Sequence, residues 1–128
     1  MNRTIFLIGI LLGVLAIILG AFGAHGLEKL VDSDAIATFE TGVRYQMYHA
    51  LFLLVLANLK FVSEQYKKAI FYLTIFGVVL FSFSIYFLAT NSLTGFDFKS
   101  IGFITPIGGV LLVLSWTLLG YRSFKSFD

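Results

Sequence analysis

The stretch Phe39-Glu40-Thr41-Gly42-Val43-Arg44-Tyr45-Gln46-Met47-Tyr48-His49 runs without a break into Ala50-Leu51-Phe52-Leu53-Leu54-Val55-Leu56-Ala57-Asn58-Leu59. The apolar half is too short to cross a bilayer, which takes roughly 20 helical residues for about 30 Å of hydrocarbon. A continuous helix through this region must therefore start earlier and carry polar residues into the membrane. Upstream, Asp32-Ser33-Asp34 has the character of a helix start, with a capping oxygen and an acidic residue at the positive end of the dipole. Gly42 alone costs a helix only about 1 kcal/mol. One long helix is expected from Ser33 to Leu59, with residues 33–40 outside the membrane and residues 41–59 spanning it.

Three other runs need no such extension. They cover about residues 5–23, 69–90 and 104–121, the last with Pro106 in its first turn, where proline is tolerated. Ala21-Phe22-Gly23 resembles a signal-peptide cleavage site, but three more apolar runs follow, so the first run reads as a span. Hydrophobic residues make up 59% of the 128-residue chain and charged residues 12%. Soluble domains carry about 45–50% and about 25%, so lipid is the solvent that this composition fits. The expected fold is all-α, an integral membrane four-helix bundle in a single domain.

Orientation follows from the basic residues. Arg3, Lys60, Lys67, Lys68, Arg122 and Lys125 fall on one side; Lys29, Arg44 and Lys99 fall on the other. Six against three places both termini in the cytoplasm (N-in/C-in). Tyr66, Tyr72, Trp116 and Tyr121 then suit an aromatic belt on the inner side. The net charge of +2 is spread over segment ends and forms no basic face, which speaks against nucleic acid as a partner. The chain has no cysteine, which excludes disulfides and thiolate metal sites.

Small residues mark helix packing. Gly9, Gly13, Ala16, Gly20 and Gly23 form one stripe on the first helix, and Gly108 and Gly109 offer a matching surface on the fourth, opposite Gly77 and Ser84 of the third. Close backbone approach drives helix association in lipid. The stripe reads as internal packing, with dimerisation or ligand contact as the alternative.

At 100° per residue the long helix shows two polar rows, Glu40–Arg44–Tyr48 and Thr41–Tyr45–His49. Counting back from Leu59 puts Arg44 roughly 6 Å below the outer boundary and His49 close to the midplane. Ionisable groups at such depth are expensive unless paired. Both rows are therefore expected to face the bundle interior, with Glu40 pairing Arg44. Glu40, Arg44, Tyr45, Tyr48 and His49, with His25 at the outer end of the first helix, form the candidate polar cavity. The alternative for Glu40 and Arg44 is a structural latch. His25 lies roughly 13 Å from His49 in depth. Two axial nitrogens on one iron sit only about 4 Å apart, given bonds near 2 Å, so the histidines do not fit a bis-histidine haem. No metal-ligand spacing occurs, and no cofactor is expected beyond a bound lipid or quinone.

Three segments carry a resemblance. Gly20-Ala21-Phe22-Gly23-Ala24-His25-Gly26-Leu27, Phe39 to Ala50, and Thr105-Pro106-Ile107-Gly108-Gly109 resemble the YgdD/YwdK-type family, domain of unknown function four-two-three. The similarity covers essentially the whole chain; the first two segments are specific and the third is weaker alone. The resemblance implies a four-pass protein of the bacterial inner membrane. It implies no reaction and no catalytic residue.

Three functional readings follow. The first is a non-enzymatic bundle that binds lipid, a quinone or a partner subunit, as a homo-oligomer or in a larger membrane complex. The second is a proton or small-solute pathway along the second helix. The third is a membrane-embedded enzyme, for which the sequence holds no paired carboxylates, metal motif or nucleophile motif.

Overall fold

A computed structural model describes residues 1–95 and 97–127, the side chains of Phe98, Ile101 and Phe127 excepted. Four helices account for most of the described chain: α1 (Asn2–His25), α2 (Ser33–Asn58), α3 (Glu64–Ala89) and α4 (Ile104–Phe127). Short 3₁₀ turns at Leu27–Lys29, Asn91–Leu93 and Phe98–Ile101 lie in the connections. No strand occurs among the described residues.

The caps explain the boundaries. Asp32 takes the extended conformation of an N-cap, and its Oδ1 accepts from the Ala35 N–H at 2.8 Å. α2 then runs through Gly42 and stops at Asn58, giving about 39 Å of helix at 1.5 Å per residue. α3 begins at Glu64, ahead of the apolar run expected from residue 69, so Lys67 and Lys68 are helical. Pro106 is the third residue of α4, where its missing N–H leaves no bond unmade.

α1, α3 and α4 are long and apolar enough to cross a membrane. α2 has the length, but the polar residues of its first half dilute its apolar character. Neighbours in sequence pack as neighbours in space: α1 lies along α2, α4 lies along α3, and α2 joins α3. One core takes residues from all four helices, among them Ile5, Leu53, Leu56, Ile70, Val78 and Leu112. A smaller cluster of Leu27, Phe39 and Ala89 closes the other end. The outer surface is apolar: Ile17, Ile18, Phe76, Val110 and Val113 are all more than half exposed. So extensive an apolar surface requires a lipid or protein covering.

The glycine stripe of α1 packs inside the chain. A Cβ on Gly9 would lie 3.0 Å from the Ala50 carbonyl oxygen, and one on Gly23 would lie 3.0 Å from the Phe39 ring. Gly13 and Gly20 face Ala50 and Val43 of the same helix α2, and Ala16 is buried. The α3–α4 contact is closer still. A Cβ on Gly77 would sit 2.6 Å from Leu112 Cδ2, and one on Gly108 would meet the backbone of Leu80 and Phe81. Gly109 faces the Phe81 ring at ordinary contact distance.

α3 is not uniform. Val79–Phe83 is a π-helical turn between the α-helical segments Glu64–Val78 and Ser84–Ala89. Such a bulge loosens the backbone ladder and leaves carbonyls that need other donors. Ser84 Oγ supplies one, reaching the Leu80 and Phe81 carbonyls at 2.6 and 2.9 Å. It also meets Thr105 Oγ1 at 2.6 Å, tying the bulge to the start of α4. Ser82 Oγ donates to the Gly42 carbonyl at 2.9 Å, tying it to α2.

Candidate functional site

The buried residues of α2 are Phe39, Gly42, Gln46, His49, Ala50, Phe52, Leu53, Leu56 and Ala57. Two of them are polar, and both are bonded within the chain. Gln46 is fully buried: its Nε2 donates to the Leu12 carbonyl at 2.8 Å and its Oε1 accepts from the Tyr86 hydroxyl at 2.6 Å. One side chain thus ties α1, α2 and α3 together. Sequence reading missed Gln46, although it stands four residues from both Gly42 and Ala50, on the stripe of small residues.

His49 is 3% exposed. Its Nε2 lies 3.0 Å from the indole nitrogen of Trp116, and its Nδ1 lies 2.7 Å from the Tyr45 carbonyl oxygen. An indole N–H only donates and a carbonyl only accepts. Nε2 therefore carries the lone pair, Nδ1 carries the proton, and the ring is neutral. Trp116, expected in an interfacial belt, lies midway along α4 as the partner of His49, with its ring 4.5 Å from that of Phe52.

A groove of about 650 Å³ opens beside this pair, lined by Tyr45, His49, Phe81, Pro106, Val113 and Trp116 among others. Tyr45 packs on Phe81 of the π turn with ring centroids 5.0 Å apart. Its hydroxyl has no hydrogen-bond partner among the described residues. The lining is apolar except for that hydroxyl, the His49–Trp116 edge and Thr117.

The remaining sequence candidates lie elsewhere. Glu40, Arg44 and Tyr48 form an exposed row of α2 outside the groove lining, with Tyr48 touching the site only through its ring, 5.5 Å from that of Tyr45. The expected Glu40–Arg44 pair is not formed among the described residues; Arg44 donates instead to Thr41 Oγ1 at 3.1 Å. His25 is exposed at the end of α1. The structure therefore assembles two of the six cavity candidates, Tyr45 and His49, and adds Trp116. The physical reason is reach. A residue near a helix end can extend a long side chain toward water, so a core-facing rotation is not forced on Glu40 or Arg44. His49, deeper and shorter, has no such route. Among the described residues, no three His, Asp or Glu side chains group as a metal site.

Comparison with known proteins agrees with this architecture. A family model described as "Protein of unknown function (DUF423)" matches residues 19–109. A UPF0382 membrane protein of Staphylococcus saprophyticus is 37% identical over 123 residues, 96% of this chain and 98% of its own. The UPF0382 membrane protein YwdK of Bacillus subtilis is 38% identical over 125 residues, again 96% and 98%. One from Haemophilus influenzae is 36% identical over 114 residues, 89% of this chain and 88% of its own. No solved structure matches. The matched region holds the polar half of α2, the π turn and the Gly77–Gly108 contact, and the chain belongs to the DUF423 family of membrane proteins.

Proposed function

We propose that this chain is a non-enzymatic four-span bundle of the bacterial inner membrane, both termini cytoplasmic, that holds a lipid or quinone in the α2–α4 groove. The observation that carries the reading is the Tyr45 hydroxyl, which has no partner among the described residues, on a wall that is otherwise apolar and aromatic. Ligand pockets combine such apolar walls with a few polar groups that fix orientation. An isoprenoid or acyl tail would lie against Val110 and Val113. A carbonyl of the head would accept from Tyr45. His49 would keep Trp116 oriented beside it.

The pathway reading needs a continuous polar lining, and within one protomer Glu40, Arg44, Tyr48 and His25 lie outside the groove. Their outward placement favours a second role, contact with another membrane subunit or a second copy along the exposed face of α2.

The groove is tested by purifying the full chain in mild detergent and identifying what is extracted with it by mass spectrometry and quinone absorbance. Wild type is expected to retain a stoichiometric lipid or quinone, and Val113→Trp, which fills the groove, is expected to lose it. Retention no higher than in empty micelles, or equal retention by Val113→Trp, refutes the reading.

A further inference from the structure

The opposite feature of the molecule is a polar cavity at the end of the helices where α1 starts, α2 stops and α3 begins. It measures about 610 Å³ and is lined by Asn2, Asn58, Lys60, Ser63, Glu64 and Lys67, with apolar contributions from Ala57 and Val62. It shares no residue with the α2–α4 groove.

Lys67 is the anomaly. It is 2% exposed, on the first turn of α3, yet it lines this cavity. Its ammonium donates to Asn2 Oδ1 at 3.0 Å and to the Ala57 carbonyl at 3.4 Å, both neutral acceptors. No carboxylate pairs with it among the described residues. A buried cation held by neutral groups alone keeps most of its desolvation cost. The Ala57 carbonyl, at the negative end of α2, offsets part of that cost. One ammonium N–H remains for a further acceptor, since a lysine carries three.

The surroundings are suited to an anion. Ser63 is the N-cap of the 26-residue helix α3 and its side chain makes no cap bond; among the described residues nothing else bonds the first N–H groups of α3, beside the cavity. Lys60 stands on the same wall, exposed. Arg3, Lys68, Arg122 and Lys125 belong to the same end of the molecule, with Arg122 stacked 3.7 Å over the Tyr66 ring. Among the described residues, Glu64 is the one carboxylate on the rim. Its repulsion favours a singly charged phosphodiester over a dianion.

We infer that this cavity binds a phosphate group, that of a phospholipid headgroup, with Lys67 and Lys60 as the cationic contacts. The headgroup lies at the level where apolar helix surface gives way to basic residues. The acyl chains run down the outer faces of the helices.

The test measures lipid retention by the full chain in detergent, by native mass spectrometry. The probes are phosphatidylglycerol, phosphatidylethanolamine, diacylglycerol with the same tails, and inorganic phosphate as competitor. Wild type should retain both phospholipids and not diacylglycerol. Lys60→Gln should weaken retention about tenfold, the scale of one charge-assisted hydrogen bond. Glu64→Gln should tighten it. Both residues are exposed, so these variants fold even where Lys67→Met does not. Displacement by millimolar inorganic phosphate would support the site with free phosphate as its source. Equal retention of diacylglycerol, or wild-type retention by both Lys60→Gln and Glu64→Gln, overturns the inference. Neither result bears on the α2–α4 groove, whose own variant is Val113→Trp.

Discussion

Replacing Tyr86 with phenylalanine removes one oxygen from the core and keeps the ring, which packs 5.0 Å from Phe39. The lost oxygen is the donor to Gln46 Oε1 at 2.6 Å. Gln46 is 0% exposed, so no water replaces that donor. An abandoned buried acceptor costs about 1–3 kcal/mol. Hydrogen bonds between helices in a bilayer measure less, about 0.6 kcal/mol on average and up to about 1.7. The short bond and full burial place Tyr86→Phe near the upper end, at about 1–1.5 kcal/mol, or roughly tenfold in the folding equilibrium. Gln46→Met, a swap of similar volume, should destabilise as well, since it strands the Tyr86 hydroxyl and drops the bond to Leu12. The double variant Gln46→Met/Tyr86→Phe strands neither group, so the two losses should fall short of additivity by about 1 kcal/mol. The assay is equilibrium unfolding in mixed micelles with rising dodecyl sulfate. Trp116, the one tryptophan of the chain, reports it from a different helix interface. Additive single effects, or a Tyr86→Phe stability within about 0.3 kcal/mol of wild type, would refute the claim that this bond joins α2 to α3.

Three further expectations follow from the same geometry. Gly108→Ala should cost at least about 2 kcal/mol in that assay, because its Cβ would push against backbone atoms of Gly77, Leu80 and Phe81, which cannot rotate away. Gly120→Ala, with open space at its Cβ, should be neutral or stabilising by up to about 1 kcal/mol; equal effects from the two would be incompatible with the packing. Nitrogen NMR of labelled histidine should find His49 as the neutral Nδ1–H tautomer, and Trp116→Phe should shift its Nε2 resonance; an imidazolium signal at neutral pH would contradict the bonding. The absence of native cysteines makes topology simple to probe. Ser92→Cys should react with an impermeant maleimide from outside intact spheroplasts and Ser63→Cys should not; the reverse pattern would invert the proposed orientation.

The amino-acid order by itself determined the helices and their lipid-facing character. Uninterrupted apolar runs leave no other economical backbone in a bilayer, and Asp32-Ser33-Asp34 marks the start of α2 where capping chemistry requires. It also determined that Gly9, Gly23 and Gly108 sit at close contacts, since only a hydrogen in place of Cβ permits them. The rotation of α2 was another matter. Its two polar rows and its buried stripe are all helical patterns, and periodicity cannot say which one the neighbours cover. Tertiary structure decided it. Gly42 sits under Tyr86 and Ser82, Ala50 sits against Gly9, and Gln46 lies between them within reach of Leu12 and Tyr86. That contact set turns Glu40, Arg44 and Tyr48 outward and leaves only His49 and Tyr45 beside the groove. The partner of His49 was equally out of reach of sequence. Trp116 is 67 residues away, and the two meet only because α3 packs on both α2 and α4 and so brings Trp116 across the groove to His49.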